Sequence, residues 1–239
     1  MRALSDVEAA AAGEGLAVMG ALHPESPGGI APDARTLVLL GPDGPRWEAV
    51  FAAAPEAADG QPHPIDRWSR RVVGALAQSL GGDALFPFEG PPWLPVISWA
   101  VASGWAWPSP VGMLVHARAG LWFSCRGVLA LPDRLDLPTR PDAAPCLACE
   151  GRPCESACPV SAFASGTYDV PACATYLSGE GAASCLAQGC AVRHACPVGA
   201  AWRPVPQQAA RHMEAFLRGN APSGGTKAVD KPVDKSKSA

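Results

Sequence analysis

Residues 146–159 read Cys-Leu-Ala-Cys-Glu-Gly-Arg-Pro-Cys-Glu-Ser-Ala-Cys-Pro, and this segment sets the interpretation of the whole chain. Its four cysteines have the spacing C-x2-C-x4-C-x3-C, and proline follows the fourth. Four more cysteines occur up to Cys196, which also precedes a proline. Eight of the nine cysteines in the 239-residue chain therefore lie within residues 146–196.

The spacing resembles the C-x2-C-x2-C-x3-C-P run of bacterial two-cluster ferredoxins, with two extra residues before the third cysteine. In that run, three cysteines hold one [4Fe–4S] cluster and the fourth ligates the other cluster. Three ligands can come from one loop around a cubane, and proline after the fourth turns the chain away from the cluster. The segment therefore predicts two [4Fe–4S] clusters as cofactors.

The cysteine before each proline is expected to ligate the cluster of the other segment, an exchange that we call crossing over. It divides the eight cysteines into two sets of four. The first cluster is predicted on Cys146, Cys149, Cys154 and Cys196. The second cluster is predicted on Cys158, Cys173, Cys185 and Cys190. A weak repeat supports two related halves, because residues 154–162 and 190–200 both run from a cysteine into Cys-Pro-Val-x-Ala. Cys125 is left over and is interpreted as a small buried side chain rather than a ligand.

Two other uses of eight cysteines were weighed. We disfavour a disulfide framework, because no secretory signal peptide is expected and disulfides are rare in the cytosol. Two zinc sites with four cysteines each are the stronger alternative, since zinc also binds paired cysteines. Zinc motifs do not require the C-x3-C-P ending, so iron–sulfur clusters are favoured.

Composition limits the partners that we expect. Hydrophobic residues make up 48% of the chain, charged residues 17%, and the net charge is −3. This balance lacks the basic surplus typical of nucleic-acid-binding proteins. The longest apolar runs, such as residues 36–41, are too short to cross a bilayer. We therefore expect a soluble, cytoplasmic protein that binds neither nucleic acid nor a membrane.

The hydrophobic pattern predicts a mixed α+β fold. Strands are expected at residues 16–22, 36–41, 111–116 and 121–131, the last two joined by a turn at 117–120. Helices are expected after a capping box at Ser5–Glu8, and at residues 47–54, 67–80, 96–103 and 204–217. These elements indicate an N-terminal domain over residues 1–138 and a ferredoxin-like domain over 139–218. Residues 219–239 are rich in Lys, Ser, Pro and Gly and are expected to be disordered.

Two further groups of side chains are candidates for binding. Tryptophans at positions 93, 99, 105 and 107 either line a site for a flat ligand or fill a core between loops, and we favour the core. His116 and Arg118 stand where they would reach a phosphate or carboxylate at the 117–120 turn, but we interpret them as ordinary edge residues.

The order of these features resembles the superfamily of epoxyqueuosine reductases and reductive dehalogenases, which includes relatives that process cobalamin. The residues that carry the resemblance are 34–40, 109–116 and 120–127 together with the eight cysteines, and it spans about residues 5–218. It implies a nitroreductase-like α/β domain followed by a bacterial-ferredoxin-like domain with two [4Fe–4S] clusters.

The match to epoxyqueuosine reductases themselves is incomplete. Those enzymes have a proton-donating aspartate before the helix ahead of the hairpin, whereas the nearest carboxylate here is Glu89. Their Gly-Lys-Asn or Gly-Lys-His motif and the helical repeats with which some relatives bind transfer RNA have no counterpart. No Ser/His/Asp set, phosphate loop or paired-carboxylate pattern identifies a catalytic residue, so enzymatic activity stays open.

Three functions follow from the sequence. The first is an electron-transfer protein with two [4Fe–4S] clusters that serves a redox partner protein. The second is an oxidoreductase related to epoxyqueuosine reductase, in which the tryptophan-rich cleft binds a flat cofactor. Cobalamin would be such a cofactor, although no motif supports it. The third is an interaction module stabilised by zinc.

Overall fold

The computed structural model describes residues 3–24, 32–164 and 166–220. The tail predicted to be disordered lies outside the described residues from position 221 onward. The described α-helices are α1 (Leu4–Gly13), α2 (Arg46–Ala52), α3 (Pro55–Ala58), α4 (Pro64–Ser79), α5 (Val96–Ala102), α6 (Val170–Leu177), α7 (Ala183–Gln188), α8 (Ala191–Ala195) and α9 (Pro206–Asn220). The described strands are β1 (Leu16–Leu22), β2 (Thr36–Pro42), β3 (Asp83–Leu85), β4 (Ala106–Pro108), β5 (Leu114–His116) and β6 (Gly127–Leu131).

Four strands form an antiparallel sheet in the order β1-β2-β6-β3. Every residue of β2 is buried, as predicted for the apolar run at residues 36–41. Its register places Thr36 opposite Leu131 and Leu40 opposite Gly127. The chain is therefore a mixed α+β protein, and this part of the fold-class prediction is confirmed.

The two faces of β2 pack against different helices. Val38 and Leu40 join a core formed mainly with α1, α2 and α4, where Trp47 stacks on Phe51 with ring centroids 4.8 Å apart. Leu37 and Leu39 face the opposite side and pack with Val96 and Ala100 of α5. Burying each large apolar side chain contributes about 1.5–3 kcal/mol. A strand between two helical layers has no face left for water, which explains its continuous apolar sequence.

Several predicted elements agree with the structure, and two helix ends do not. The strand at residues 16–22 is confirmed, and so is the buried face of the helix at residues 67–80, although α4 begins at Pro64. The capping box at Ser5–Glu8 is wrong, because the N-cap is Ala3, two residues earlier, and the Asp6 carboxylate accepts a hydrogen bond from the Ala3 backbone N–H at 2.8 Å. The last helix runs to Asn220, beyond the expected end.

The hairpin predicted over residues 111–131 is wrong. β5 pairs with β4 in a separate two-stranded sheet, whereas β6 lies between β2 and β3. The connecting residues 121–126 begin with the apolar run Leu-Trp-Phe, but they do not form a strand. Leu121 packs with Val115 and Val192 beside the cysteine segment, residues 146–196. Its apolar side chain therefore belongs to a core at that segment and not to the sheet.

The cysteine segment folds against the rest of the chain around its own small core of Val111, Val115, Leu121, Phe163 and Val192. The helix α9 packs on α6 and α7 and returns to α2, where the Arg211 guanidinium contacts Glu48 Oε1 at 2.8 Å. Within the described residues, no helix is both long enough and apolar enough to cross a membrane.

Candidate functional site

The first cysteine group is built from a loop and one distant residue. Short 3-10 turns at Pro145–Leu147 and Pro153–Glu155 present Cys146 and Cys154, and Cys149 lies in the loop between them. Between these turns, Gly151 and Arg152 both have positive φ, at 69° and 38°, which bends the loop sharply. The two residues added to the ferredoxin spacing thus fall where the loop turns back. One small cavity is lined by Cys146, Cys149, Cys154 and Cys196.

The second cysteine group is built mainly from helices. Its members are Cys158 after the first loop, Cys173 in α6, Cys185 in α7, and Cys190 at the N-terminus of α8. Another small cavity is lined by Cys158, Cys173, Cys185 and Cys190. The grouping in space is therefore the same as the grouping expected from crossing over.

The two groups are joined by very short segments of chain. Three residues separate Cys154 from Cys158, and the helix α8 separates Cys190 from Cys196. Four residue steps span at most about 14 Å between Cα atoms, so the two cavities are close neighbours.

The thiols within each group influence one another's protonation. Burial raises the pKa of Cys146, and the nearby Cys196 and Cys149 raise it further. Burial likewise raises the pKa of Cys173 despite a hydrogen bond from Tyr168, and Cys190, Cys158 and Cys185 add to the effect. Four thiolates in one buried place repel each other unless a positively charged centre binds them. The donor sets therefore fit iron–sulfur clusters, whose irons are held by four cysteine thiolates.

One cysteine of the second group accepts a backbone hydrogen bond, which is relevant to redox potential. The Ala162 backbone N–H donates a hydrogen bond to Cys158 Sγ at 3.3 Å. Hydrogen bonds to the sulfurs and solvent exposure are among the features that set the potential of a cluster.

Cys154 and Cys196 of the first group are buried, whereas the neighbouring Leu147 is 79% exposed. The first group is thus close to the surface at one loop.

Within the described part of the chain, no group of three or more His, Cys, Asp or Glu side chains is arranged to hold a single metal ion. A cubane has a different requirement, because each of its four irons takes one thiolate.

The tryptophans at positions 93, 99, 105 and 107 do not form one site. Trp93 is 65% exposed, Trp99 of α5 packs on the core at that helix, and Trp107 packs on the core of the cysteine segment. Trp105 stacks on His116 with ring centroids 6.2 Å apart. The preference for a packing role over a shared flat-ligand site agrees with these positions, except that Trp93 is not part of a core.

The interpretation of His116 as an ordinary edge residue is wrong. Its side chain is fully buried, and its Nε2 lies 3.0 Å from the Met19 carbonyl oxygen. Burial lowers the pKa of His116 to about 4, and the neighbouring Arg118 contributes to this. Arg118 donates to the Val18 carbonyl oxygen at 2.8 Å, so both side chains fasten the 117–120 loop to β1.

Glu89 and Cys125 lie away from the cysteine cavities. Glu89 Oε1 accepts a hydrogen bond from Arg70 Nε at 2.7 Å, and both side chains are about half exposed. Such a surface ion pair does not resemble a buried proton donor. Cys125 donates to the Gly127 carbonyl oxygen at 3.4 Å, and burial raises its pKa to about 11. Its thiol is therefore protonated near neutral pH and stands apart from both groups.

A third cavity of the described structure was not foreseen from the sequence. Its volume is about 310 Å³, and Cys173 and Cys190 of the second group form part of its wall. Trp122, Arg126, Arg193 and Trp202 also line it. These residues come from three distant segments with no common motif, so sequence spacing carries no signal for them.

Comparison of the chain with protein-family models, with curated proteins and with solved structures finds no match.

Proposed function

We propose that the chain is an electron-transfer protein that binds two [4Fe–4S] clusters. The observation that carries this proposal is the division of eight cysteines between two cavities, four to each. Cys146, Cys149, Cys154 and Cys196 would hold the first cluster. Cys158, Cys173, Cys185 and Cys190 would hold the second cluster. When bound, such clusters accept and release single electrons.

The chain's own residues would insulate and orient these centres. Val115 and Leu121 line the first cavity, and Val192 and Leu177 line the second, so apolar side chains limit the access of water to both. The exposed loop at Leu147 would be the place where a redox partner protein approaches the first cluster. The electron would then pass to the second group along the short segments that join the two cavities.

The proposal includes a domain assignment. The N-terminal residues 1–138 would correspond to the nitroreductase-like domain of the epoxyqueuosine reductase and reductive dehalogenase superfamily, and residues 139–218 to a bacterial-ferredoxin-like domain. The antiparallel sheet with helices on both faces and the sequence resemblance are the support for this assignment. A cytoplasmic location belongs to the same proposal.

A reductase is the second candidate function, because the 310 Å³ cavity lies directly beside Cys173 and Cys190. A molecule bound there would contact the wall of the second cluster site. An organic cofactor in that cavity would turn a carrier of electrons into an enzyme.

Anaerobic purification followed by iron, sulfide and zinc analysis tests these functions on one sample. Two clusters require about eight iron and eight sulfide per chain. Stoichiometric zinc without sulfide would overturn the electron-transfer proposal and favour the zinc-stabilised module. Visible absorption that persists after the clusters are removed with acid would identify an organic cofactor and favour the reductase.

A further inference from the structure

The 310 Å³ cavity is enclosed by parts of the chain that are far apart in sequence. The loop at residues 122–126, the segment around Arg193, and the helix α9 each contribute to its wall. Ligand cavities in proteins measure about 300–1,000 Å³, so this one has the size of a small-molecule site. A molecule of one or two rings would fill it.

Two arginines give the cavity a positive charge. Arg126 and Arg193 both line it, and no Asp or Glu occurs among the described residues of its wall. Burial lowers the pKa of His212, another wall residue, and the charges of both arginines lower it further, so both lie near this histidine. Burying two cations together is unfavourable unless an anion accompanies them.

The existing contacts of these arginines leave capacity unused. Arg193 Nη1 donates to the Leu121 carbonyl oxygen at 2.9 Å, which occupies one of its five N–H donors. Arg126 Nη1 lies 3.9 Å from Asp66 Oδ1, which is a long ion pair. Asp66 is the charged group that acts on Arg126, because the neighbouring Cys125 thiol is protonated near neutral pH. The thiols of the second cysteine group can therefore balance the charge of Arg193 but not that of Arg126.

Three polar atoms on the cavity wall lack hydrogen-bond partners within the described residues. They are Arg126 Nε, Trp122 Nε1 and Gln208 Oε1, all buried. Buried polar groups in folded proteins are almost always paired, so each exception needs an explanation. Each belongs to a wall residue, and the described chain itself leaves all three unpaired.

The rest of the wall is largely aromatic. Trp122, Phe163, Tyr168, Trp202 and Phe216 line the cavity, and Phe163 stacks on Tyr168 with ring centroids 4.5 Å apart. Flat aromatic walls favour a flat ligand, because offset stacking needs a planar partner. A planar carboxylate also matches the planar fork of a guanidinium group.

We propose that this cavity binds a flat organic carboxylate of one or two rings. The carboxylate lies between Arg126 and Arg193, and the ring lies among the aromatic side chains. Cys173 and Cys190 then separate the ligand from the second cluster, and this last statement alone rests on the proposed function.

Matched pairs of probes test the proposal on the full-length protein as purified anaerobically. The probes are benzoate with benzamide, 2-naphthoate with 2-naphthamide, and indole-3-acetate with indole-3-acetamide. Each pair has the same ring and differs in charge. Titration calorimetry should find at least one carboxylate that binds tenfold or more tightly than its amide. The proposal is overturned when no carboxylate binds more tightly than its amide.

A substitution places the binding within the cavity. Arg126→Met keeps an unbranched apolar stem and removes the charge, so the preferred carboxylate should bind at least tenfold more weakly. Arg46→Met is the control, because Arg46 is exposed and pairs with Asp43. Equal carboxylate affinity in wild type and folded Arg126→Met would overturn the proposal. If Arg126→Met fails to fold, the comparison of carboxylate and amide affinities in the wild type still tests the proposal.

The two proposals fail in distinguishable ways. Iron and sulfide are counted on the same sample, so a missing cluster is recognised without reference to binding. When both proposals hold, proton signals of the bound carboxylate broaden after the clusters are reduced to a paramagnetic state. When only the binding proposal holds, the carboxylate preference persists and the broadening is absent.

Discussion

Cys190 and Cys196 lie at the two ends of the helix α8, yet they line different cavities. Cys190 faces the group that contains Cys158, and Cys196 faces the group that contains Cys154. The same exchange occurs between Cys154 and Cys158, which three residues separate. Each group thus takes its fourth member from the segment that mainly serves the other group.

This exchange predicts selective loss of one cluster. Cys196→Ala should remove the first cluster and keep the second, and Cys158→Ala should do the reverse. Each variant should retain about half of the wild-type iron. Electron paramagnetic resonance of the reduced protein, with iron analysis, distinguishes the two remaining centres. Cys125→Ala is the control and should keep all of the iron, because its thiol is remote from both cavities.

Loss of the second cluster in Cys196→Ala, with retention of the first, would contradict the assignment. It would mean that each cluster takes its ligands from neighbouring segments, as in a chain without exchange.

Sequence spacing predicted the grouping of the cysteines because covalent geometry limits what one loop can present. Three cysteines within nine residues, Cys146 to Cys154, have to share a loop, and proline after Cys158 directs the chain away. The buried strand β2 was equally predictable, since seven consecutive buried residues leave an uninterrupted apolar pattern. Whether the cysteines ligate iron stays a prediction.

The rest of the site depends on packing between distant segments, which leaves no local pattern. Arg126 precedes β6, Arg193 belongs to α8, and Gln208 belongs to α9, and only the folded chain brings them to one cavity. The prediction of a hairpin over residues 111–131 is wrong for a related reason. Leu121 is apolar because it packs beside the cysteine segment, and its pattern was mistaken for that of a strand.

Gly120 predicts a steric test of the first site. A Cβ atom at this position would lie 2.1 Å from the Val198 carbonyl oxygen and 3.1 Å from Cys196 Sγ, and its φ is +56°. Gly120→Ala should therefore displace Cys196 and lower the occupancy of the first cluster while sparing the second. Iron content and electron paramagnetic resonance measure this effect.

The matched control for Gly120 is Gly60. It also has a positive φ, at +70°, but nothing lies within 4 Å of an added Cβ. Gly60→Ala should cost about 1–2 kcal/mol of folding free energy from backbone strain and leave both clusters in place. Equal cluster occupancy in the two variants would show that Gly120 matters only through its backbone conformation.

His116 predicts a pH dependence of stability. Burial, with a contribution from Arg118, lowers its pKa from 6.5 to about 4 in the folded chain. The unfolded chain therefore binds more protons between these values, and stability falls as the pH decreases from about 6.5 toward 4. The full loss amounts to about 3 kcal/mol. Urea unfolding at pH 7 and at pH 5 should show about 2 kcal/mol of this loss.

His116→Gln should reduce this pH dependence, because the titrating group is removed. It should also lower stability at pH 7, since the contact with the Met19 carbonyl oxygen is altered. His63→Gln is the control, because His63 is exposed and substitution there leaves the buried histidine intact. An unchanged difference between pH 7 and pH 5 in His116→Gln would contradict the assignment of the effect to this side chain.

The ion pair between Glu48 and Arg211 predicts how α9 is held. Arg211 donates from Nε and Nη2 to Glu48 Oε1, at 3.1 and 2.8 Å, and the Glu48 side chain is only 10% exposed. Arg211→Ala would leave a largely buried carboxylate without its cation. Breaking a fully buried pair costs about 3–5 kcal/mol, and the partial exposure of Arg211 reduces the expected cost to about 1–3 kcal/mol.

Arg218→Ala gives the matched comparison, because Arg218 pairs with Glu214 on the same helix and both side chains are largely exposed. Its expected cost is below about 0.5 kcal/mol. Adding Glu48→Gln to Arg211→Ala should recover part of the lost stability, since the isolated buried charge is removed. Thermal or urea unfolding of the three variants measures these changes in stability. Equal losses of stability in Arg211→Ala and Arg218→Ala would show that the ion pair with Glu48 does not fasten α9.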